Sequence, residues 1–67
     1  MPDKGPYRLL CHWQDGRVTV EAQGHNPVEV ADAEFRIARN VSIIRRIELH
    51  DNIGCLESLW DASWELS

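Results

Sequence analysis

The sequence predicts an α+β fold in which a β-hairpin, one helix and a second hairpin follow one another (ββαββ), with the helix packed on one face of an antiparallel sheet. Alternating apolar and polar residues on both sides of Asp15-Gly16 predict the first hairpin, and a helix-start signature at 25–29 predicts the helix. The chain has 67 residues, 43% hydrophobic and 27% charged, which is typical of one globular domain over 1–67. Residues 1–6 are expected to form a disordered N-terminal arm.

The first hairpin is predicted over 7–23. Apolar residues recur at every second position on both sides of Asp15-Gly16, a dipeptide typical of a two-residue type I′ turn. The register that this turn sets gives three pairs on one face: Trp13–Val18, Cys11–Val20 and Leu9–Ala22. Together with the helix and the third strand, this face predicts a buried core of Leu9, Cys11, Val18, Val20, Val30, Ile37 and Ile47.

The helix is predicted to begin at Pro27 and to run to about Asn40. Asn26 can cap it, Pro27 occupies the first helical position, and Glu29 falls three residues after the cap. Helical spacing then places an apolar stripe toward the sheet, formed by Val30, Ala33, Ile37, Ala38 and Val41. Glu34 lies on this apolar side, where we expect its stem to pack across the core rim and its carboxylate to reach water or an arginine.

A third strand is predicted over 43–50, followed by a turn over 51–54 in which Asp51 binds the backbone. The segment 55–66 is open between two structures. Its alternation favours a strand, whereas a stripe at helical spacing and the lack of Val, Ile and Thr favour a helix. We favour the strand, because a sheet of only three strands would cover a thin core poorly.

Charge restricts the class of partner. Seven Lys and Arg stand against eleven Asp and Glu, which gives a net charge of −4. Phosphate binding needs a basic footprint, so direct nucleic-acid and membrane binding are not expected, and a basic protein surface is the expected partner. No apolar run is long enough to span a membrane, and two cysteines are too few for a disulfide framework. These features predict a cytoplasmic protein.

The sequence shows no pattern typical of catalysis or of a cofactor site. Cys11 and His12 are strand neighbours that point to opposite faces, and we expect no carboxylate–histidine pairing and no metal site. His50-Asp51 is better explained by turn chemistry than by a catalytic dyad. We therefore expect no enzyme and no cofactor, and both Cys11 and Cys55 are expected to be reduced and functionally silent.

The C-terminal third is purely acidic, since no Lys or Arg follows Arg46. Glu57, Asp61 and Glu65, here called the acidic row, recur every four residues and are predicted to share one face. They either keep a small protein soluble or act as a DNA mimic that fills a groove lined by Lys and Arg. Trp60 and Trp64 lie beside the row and suit either a core or an interface hot spot. The predicted partner-binding residues are Glu48, Asp51, Glu57, Trp60, Asp61 and Glu65.

The chain resembles the small anti-CRISPR proteins that phages and mobile elements make against type I CRISPR–Cas systems. The resemblance rests on the short single domain, the acidic balance, the order of hairpin, helix and strand, and the acidic row, and it covers most of the chain. It implies a non-enzymatic inhibitor, working in the host cell cytoplasm, that binds a subunit of the DNA-surveillance complex and blocks target DNA recognition.

The alternative is a small ββαββ adaptor or dimerisation module of bacterial origin, which includes a weak homodimer. Its contact surface would be the apolar helix edge at Val28 and Phe35, or an exposed strand edge. An inhibitor of the first kind should bind its partner in a salt-sensitive way, whereas an adaptor should associate through apolar surface with little dependence on salt.

Overall fold

The computed structural model describes residues 4–66, in which four antiparallel strands form one open sheet together with short helical segments. This arrangement confirms the predicted α+β class. In chain order the elements are β1 (Tyr7–Trp13), β2 (Val18–Gly24), α1 (Pro27–Asp32), a 3₁₀ turn (Ala33–Arg36), β3 (Ile44–His50), β4 (Cys55–Asp61) and the one-turn helix α2 (Ala62–Glu65). The strand order across the sheet is β2-β1-β3-β4, so β1 and β3 are central and β2 and β4 are edges.

The core lies on one face of this sheet. Leu9 of β1 is opposite Leu49 of β3, and Cys11 is opposite Ile47, so these four side chains share a face. They are buried together with residues of the helical segment and the C-terminal elements: Val30, Ala33, Ile44, Trp60 and Ala62. We call this side the core face and the other side the open face.

The turn of the first hairpin differs from the prediction. Gly16 has a φ of +95°, but no other described residue except Gly5 has a positive φ, so Asp15 does not form the predicted type I′ turn. The Gly16 N–H donates to the Trp13 carbonyl, and the Trp13 N–H donates to the Arg17 carbonyl at 2.9 Å. The loop therefore has three residues, 14–16, and Trp13 is paired with Arg17.

This longer loop changes which side chains are buried. Val18 is opposite His12 and Val20 is opposite Leu10, so both valines lie on the open face, where they are 53% and 52% exposed. Their predicted burial is wrong, because a one-residue offset moves a strand's side chains to the other face. An irregularity after Leu9 restores the predicted pairing with Ala22.

Helix α1 begins as predicted but ends early. Asn26 Oδ1 accepts the Val28 N–H at 2.9 Å, and Pro27 is the first helical residue. The α-helix stops at Asp32 and only the 3₁₀ turn continues it, so the prediction of a helix to Asn40 is wrong. Ile37 already has extended backbone and is half-buried rather than buried. Short helices depend on packing, which leaves their ends poorly specified by pattern.

Glu34 confirms the expectation for an acid on the apolar side of the helical segment. The residue is buried, with 9% of its surface exposed, and lies beside the core residue Ala33. Its Oε2 accepts a hydrogen bond from Arg39 Nη2 at 3.0 Å. The arginine thus compensates the carboxylate, and no functional role is needed to explain it.

The C-terminal segment is partly strand and partly helix, so each of the two predicted alternatives describes part of it. The chain is a strand through Asp61 and then turns into α2, so a strand continuing to 66 is wrong. Asp61 is the N-cap of α2, where its Oδ1 accepts the Ser63 N–H at 2.9 Å. The preceding turn is confirmed, because Asp51 Oδ1 accepts the N–H groups of Ile53 and Gly54.

The described part of the N-terminal arm is packed against the hairpin. Gly5 is buried, and its carbonyl accepts a hydrogen bond from Gln23 Nε2 at 2.9 Å. Its φ of +98° and its close approach to Gly24 both require glycine, since an added Cβ would lie 2.1 Å from the Gly24 backbone. Residues 1–3 of the predicted disordered arm lie outside the described residues.

Candidate functional site

The acidic row does not lie on one face of the protein. In the β3–β4 pairing Glu57 is opposite Leu49, on the core face, whereas Asp61 is opposite Arg46, on the open face. The register shifts between these pairs because Leu59 is an extra residue in β4. The prediction of a shared face is therefore wrong: the period of four was sound for a regular strand, but the bulge breaks it.

Several of the predicted partner-binding acids already have partners within the chain. Asp61 caps α2, and its pKa is lowered first by the Ser63 backbone hydrogen bond and also by the charges of Arg46 and Arg45. Glu65 accepts a hydrogen bond from Trp60 Nε1 at 3.3 Å. Asp51 holds the turn after β3, as described above. Glu57 is exposed on β4.

Trp60 and Glu48 are buried, which removes them from any partner-binding surface. Trp60 is 3% exposed and lies opposite Ile47 on the core face, so it is a core residue rather than an interface hot spot. Glu48 is 8% exposed, although it lies on the open face. The reason for the burial of Glu48 is a group of polar side chains that surrounds it.

His12, Glu48 and His50 form this group, here called the His–Glu–His cluster. Glu48 Oε1 lies 2.5 Å from His12 Nε2 and 3.2 Å from His50 Nε2. The two histidine side chains are 23% and 19% exposed. One carboxylate oxygen thus meets two imidazole nitrogens at the centre of the open face.

The sheet brings these three residues together by simple geometry. Glu48 and His50 are two positions apart on β3, so they point to the same face. His12 lies on the adjacent strand β1, opposite Arg46, which places it diagonally from Glu48. Since β1 and β3 are the central strands, the cluster lies on the best-supported part of the sheet.

Two further side chains border the cluster. Cys55 is opposite His50 in the β3–β4 pairing, and its Sγ lies 3.7 Å from Glu48 Oε2. Desolvation and the neighbouring Glu48 carboxylate raise the pKa of the Cys55 thiol, although the residue is exposed. Arg46 Nη1 lies 3.8 Å from the same oxygen, Glu48 Oε2. The cluster is thus flanked by a thiol and by a guanidinium group.

Glu48 is held in its charged form despite its burial. Desolvation acts to raise the pKa of this carboxyl, but the hydrogen bonds from His50 and His12 and the nearby charge of Arg46 outweigh it, so the pKa is lowered. An ionised carboxylate beside two imidazoles and a thiol is a donor set suited to a divalent transition metal. His12, Glu48 and His50 are therefore the residues whose ligand atoms lie close enough together to hold such an ion, and Cys55 lies at the border of the group.

The expectation that no carboxylate–histidine pairing occurs is wrong. The spacing of Glu48 and His50 within one strand was a signal for it, since alternate residues share a face. His12 could not be added from the sequence, because that required the pairing of β1 with β3, which are distant along the chain. Cys11, His12's neighbour, lies on the core face as predicted and is fully buried.

Among the exposed large apolar side chains of residues 4–66, two groups lie on the helical segment and at the C-terminal elements. Val28 and Phe35, on the helical segment, are 66% and 74% exposed. Leu56 at the start of β4, and Trp64 and Leu66 at the C-terminal end, are each at least half exposed. Such side chains are frequent contact residues in protein interfaces.

No helix within residues 4–66 has the length and apolar character needed to cross a membrane. Comparison of the chain with protein-family models, with curated proteins and with solved structures finds no match.

Proposed function

We propose that this chain acts by binding another protein, as a non-enzymatic inhibitor, through the surface around β4 and α2. The proposal rests on a combination found in this region: an exposed strand edge, exposed apolar side chains and exposed carboxylates. β4 is an edge strand whose outer backbone groups can pair with another chain. Exposed apolar residues flank the exposed carboxylates of Glu57 and Glu65. An apolar centre with charged neighbours is typical of interfaces that form between separate proteins.

The partner class follows from charge. The net charge is −4, and the chain has no Lys or Arg after Arg46. A basic surface, such as one that holds DNA through Lys and Arg, would attract this end of the molecule and speed its encounter. The specific partner that we propose from the resemblance is a subunit of a type I CRISPR–Cas surveillance complex, whose target DNA recognition the chain would block.

The contacting acids in this proposal are Glu57 and Glu65, with Asp61 as a weaker contributor. Glu57 points to the core face of β4, and Glu65 is hydrogen-bonded to Trp60, which lies on the same face. Asp61 points to the other face. Glu48 and Asp51 are left out of the surface, because the first is buried and the second holds a turn.

The test is the double charge reversal Glu57→Lys with Glu65→Lys. Like-charge repulsion should then replace attraction, and we expect inhibition and most of the association rate to be lost. The measurement is a pull-down with a type I surveillance complex, followed by a DNA-binding competition at low and moderate salt. Asp61 is left unchanged, because its reversal would also remove the cap of α2.

The matched control is Glu29→Lys with Asp32→Lys, which makes the same change in net charge on the exposed side of α1. This control should inhibit like the wild type. If both reversals inhibit equally in folded protein, the C-terminal acids act only in solubility and the inhibitor proposal fails.

The exposure of Val28 and Phe35 favours a second candidate, the adaptor or dimerisation module. Association through these two side chains should be insensitive to salt, since it would depend on apolar contact. Sedimentation of the wild type and of the Val28→Ser, Phe35→Ser variant separates the candidates. Self-association through apolar contacts would persist in high salt for the wild type and would disappear in this variant.

A further inference from the structure

We propose that the open face binds one Zn²⁺ ion through His12, Glu48 and His50, with Cys55 as the fourth ligand. Three of the ligands lie on β1 and β3, outside the protein-binding surface proposed above, and only Cys55 belongs to β4; the metal site does not depend on that proposal. It takes a single metal ion between the central strands β1 and β3 and the edge strand β4.

The three ligand atoms on β1 and β3 lie close enough together to share one zinc ion after a small adjustment. With Zn–N and Zn–O bonds of about 2.0–2.1 Å, two such ligand atoms lie about 3.4 Å apart. The ligand atoms of His12, Glu48 and His50 all lie within 4.8 Å of one another, and the Glu48–His50 separation is 3.2 Å. The 2.5 Å contact between His12 and Glu48 is shorter than the tetrahedral spacing, so the carboxylate must turn slightly to admit the ion.

Cys55 can complete the donor set once its exposed side chain turns toward the cluster, since its Sγ is not among the ligand atoms that lie within 4.8 Å of one another. Its Sγ lies 3.7 Å from Glu48 Oε2, the carboxylate oxygen next to the one that both histidines contact, so a small rotation brings the thiol toward the shared ion. Two neutral imidazoles, one carboxylate and one thiolate balance the charge of Zn²⁺. The mixture of nitrogen, oxygen and sulfur favours zinc over calcium or magnesium, which prefer oxygen alone.

The competing arrangement is a hydrogen-bonded network without metal. In that network the histidines donate to Glu48, and Arg46 neutralises its charge from 3.8 Å. Metal binding moves the ring protons of both histidines to Nδ1 and displaces the Cys55 proton. Arg46 is 36% exposed at its side chain, so its guanidinium can turn toward water when the ion binds.

The expected consequence of the ion is a stronger sheet. Its ligands come from β1, β3 and β4, and the β3–β4 pairing is irregular at two places. A domain of this size commonly needs a metal or a disulfide to supplement its core. An ion bound across three strands would tie the irregular edge strand to the two central ones.

Calorimetric titration of the chelator-treated chain with Zn²⁺ tests the site. We expect one ion per chain, and a binding constant that falls by more than about 100-fold in His12→Ala and in His50→Ala, since even second-shell changes cost 10–100-fold. His25→Ala is the matched control, because His25 lies outside the cluster and its removal should leave the affinity unchanged. Zn²⁺ should also raise the melting temperature of the wild type and of this control, but not that of the two histidine variants.

Cobalt provides the readout for the fourth ligand. Co²⁺ bound by the wild type should show a thiolate charge-transfer band, which Cys55→Ser abolishes and Cys11→Ser preserves. If His12→Ala or His50→Ala fails to fold by circular dichroism, the Gln variants keep a hydrogen-bond donor toward Glu48 while removing the imidazole. Equal zinc affinity in wild type and histidine variants, or weak binding without fixed stoichiometry, overturns the site. A band that survives Cys55→Ser overturns the fourth ligand.

Discussion

Gly5 is the residue where one added methyl group would conflict most directly with the backbone. Its Cβ would lie 2.1 Å from Gly24, and the colliding atoms are backbone atoms that have no side-chain freedom to move away. The positive φ adds a second cost for any residue with a side chain. The contact fixes the chain start against the end of β2, where Gln23 also binds the Gly5 carbonyl.

We expect Gly5→Ala to lower the free energy of unfolding by at least about 2 kcal/mol, because both strain and collision oppose it. Urea denaturation monitored by tryptophan fluorescence measures the change. Gly54→Ala is the matched control, since nothing lies within 4 Å of its added Cβ, and it should change stability by no more than about 0.5 kcal/mol. Equal midpoints for the two variants would show that the N-terminal contact does not form.

At the scale of elements, the first hairpin shows how one residue in a loop changes a whole face. The sequence contained the correct turn residues, but Asp-Gly is compatible with two- and three-residue loops. The three-residue loop moves Val18 and Val20 to the open face and leaves Thr19 opposite Cys11 on the core side. Trp13 Nε1 then donates to Thr19 Oγ1 at 2.8 Å, a bond that the predicted register would not allow.

The observed register makes Val20 tolerant of a polar replacement. We expect Val20→Thr to change the free energy of unfolding by less than about 0.5 kcal/mol, because threonine suits an exposed strand position. Ile47→Ala, at a fully buried position, should cost about 2–5 kcal/mol in the same chemical denaturation assay. A loss above about 1 kcal/mol for Val20→Thr would instead support the predicted register.

Local signals predicted the starts of the elements better than their ends and partners. Asn26-Pro27 predicts where α1 begins because the cap is made by neighbouring atoms, whereas its end at Asp32 depends on packing against the sheet. The strand in 55–61 follows from alternation, but the bulge at Leu59 depends on its partner β3. The His–Glu–His cluster was missed because its third member comes from a strand pairing that no local pattern specifies.

At the scale of the whole molecule, folding is coupled to the protonation of surface aspartates. Hydrogen bonds from the Arg17 and Ser63 N–H groups, respectively, lower the pKa of Asp15 and of Asp61 from the ordinary value of 3.8. A lowered pKa in the folded state means that the charged form favours folding. The stabilisation is therefore complete above the pKa of the carboxyl in the unfolded state. It is lost as the pH falls through the pKa of the carboxyl in the folded state.

We expect the unfolding free energy to decline as the pH is lowered below the ordinary Asp pKa of 3.8. Asp61→Asn should weaken this decline, since asparagine still caps α2 but does not titrate. Denaturant titrations at a series of acidic pH values give the unfolding free energy at each pH, and hence its slope against pH. Asp32→Asn is the control, because it makes the same change of charge at a residue whose side chain makes no cap bond. Identical slopes for wild type and Asp61→Asn would remove Asp61 from the acid response.

The central pairing of β1 with β3 also has a consequence for the order of folding events. Each hairpin joins strands that are neighbours along the chain and can close within about 1–10 μs. The β1–β3 ladder instead joins residues that are distant along the chain, such as Arg8 and His50. Its formation must therefore close a long loop that contains β2 and α1. We therefore expect the docking of two preformed hairpins to be the slow step. Substitutions in the β1–β3 pairing should change the folding rate more than substitutions in the edge strands β2 and β4.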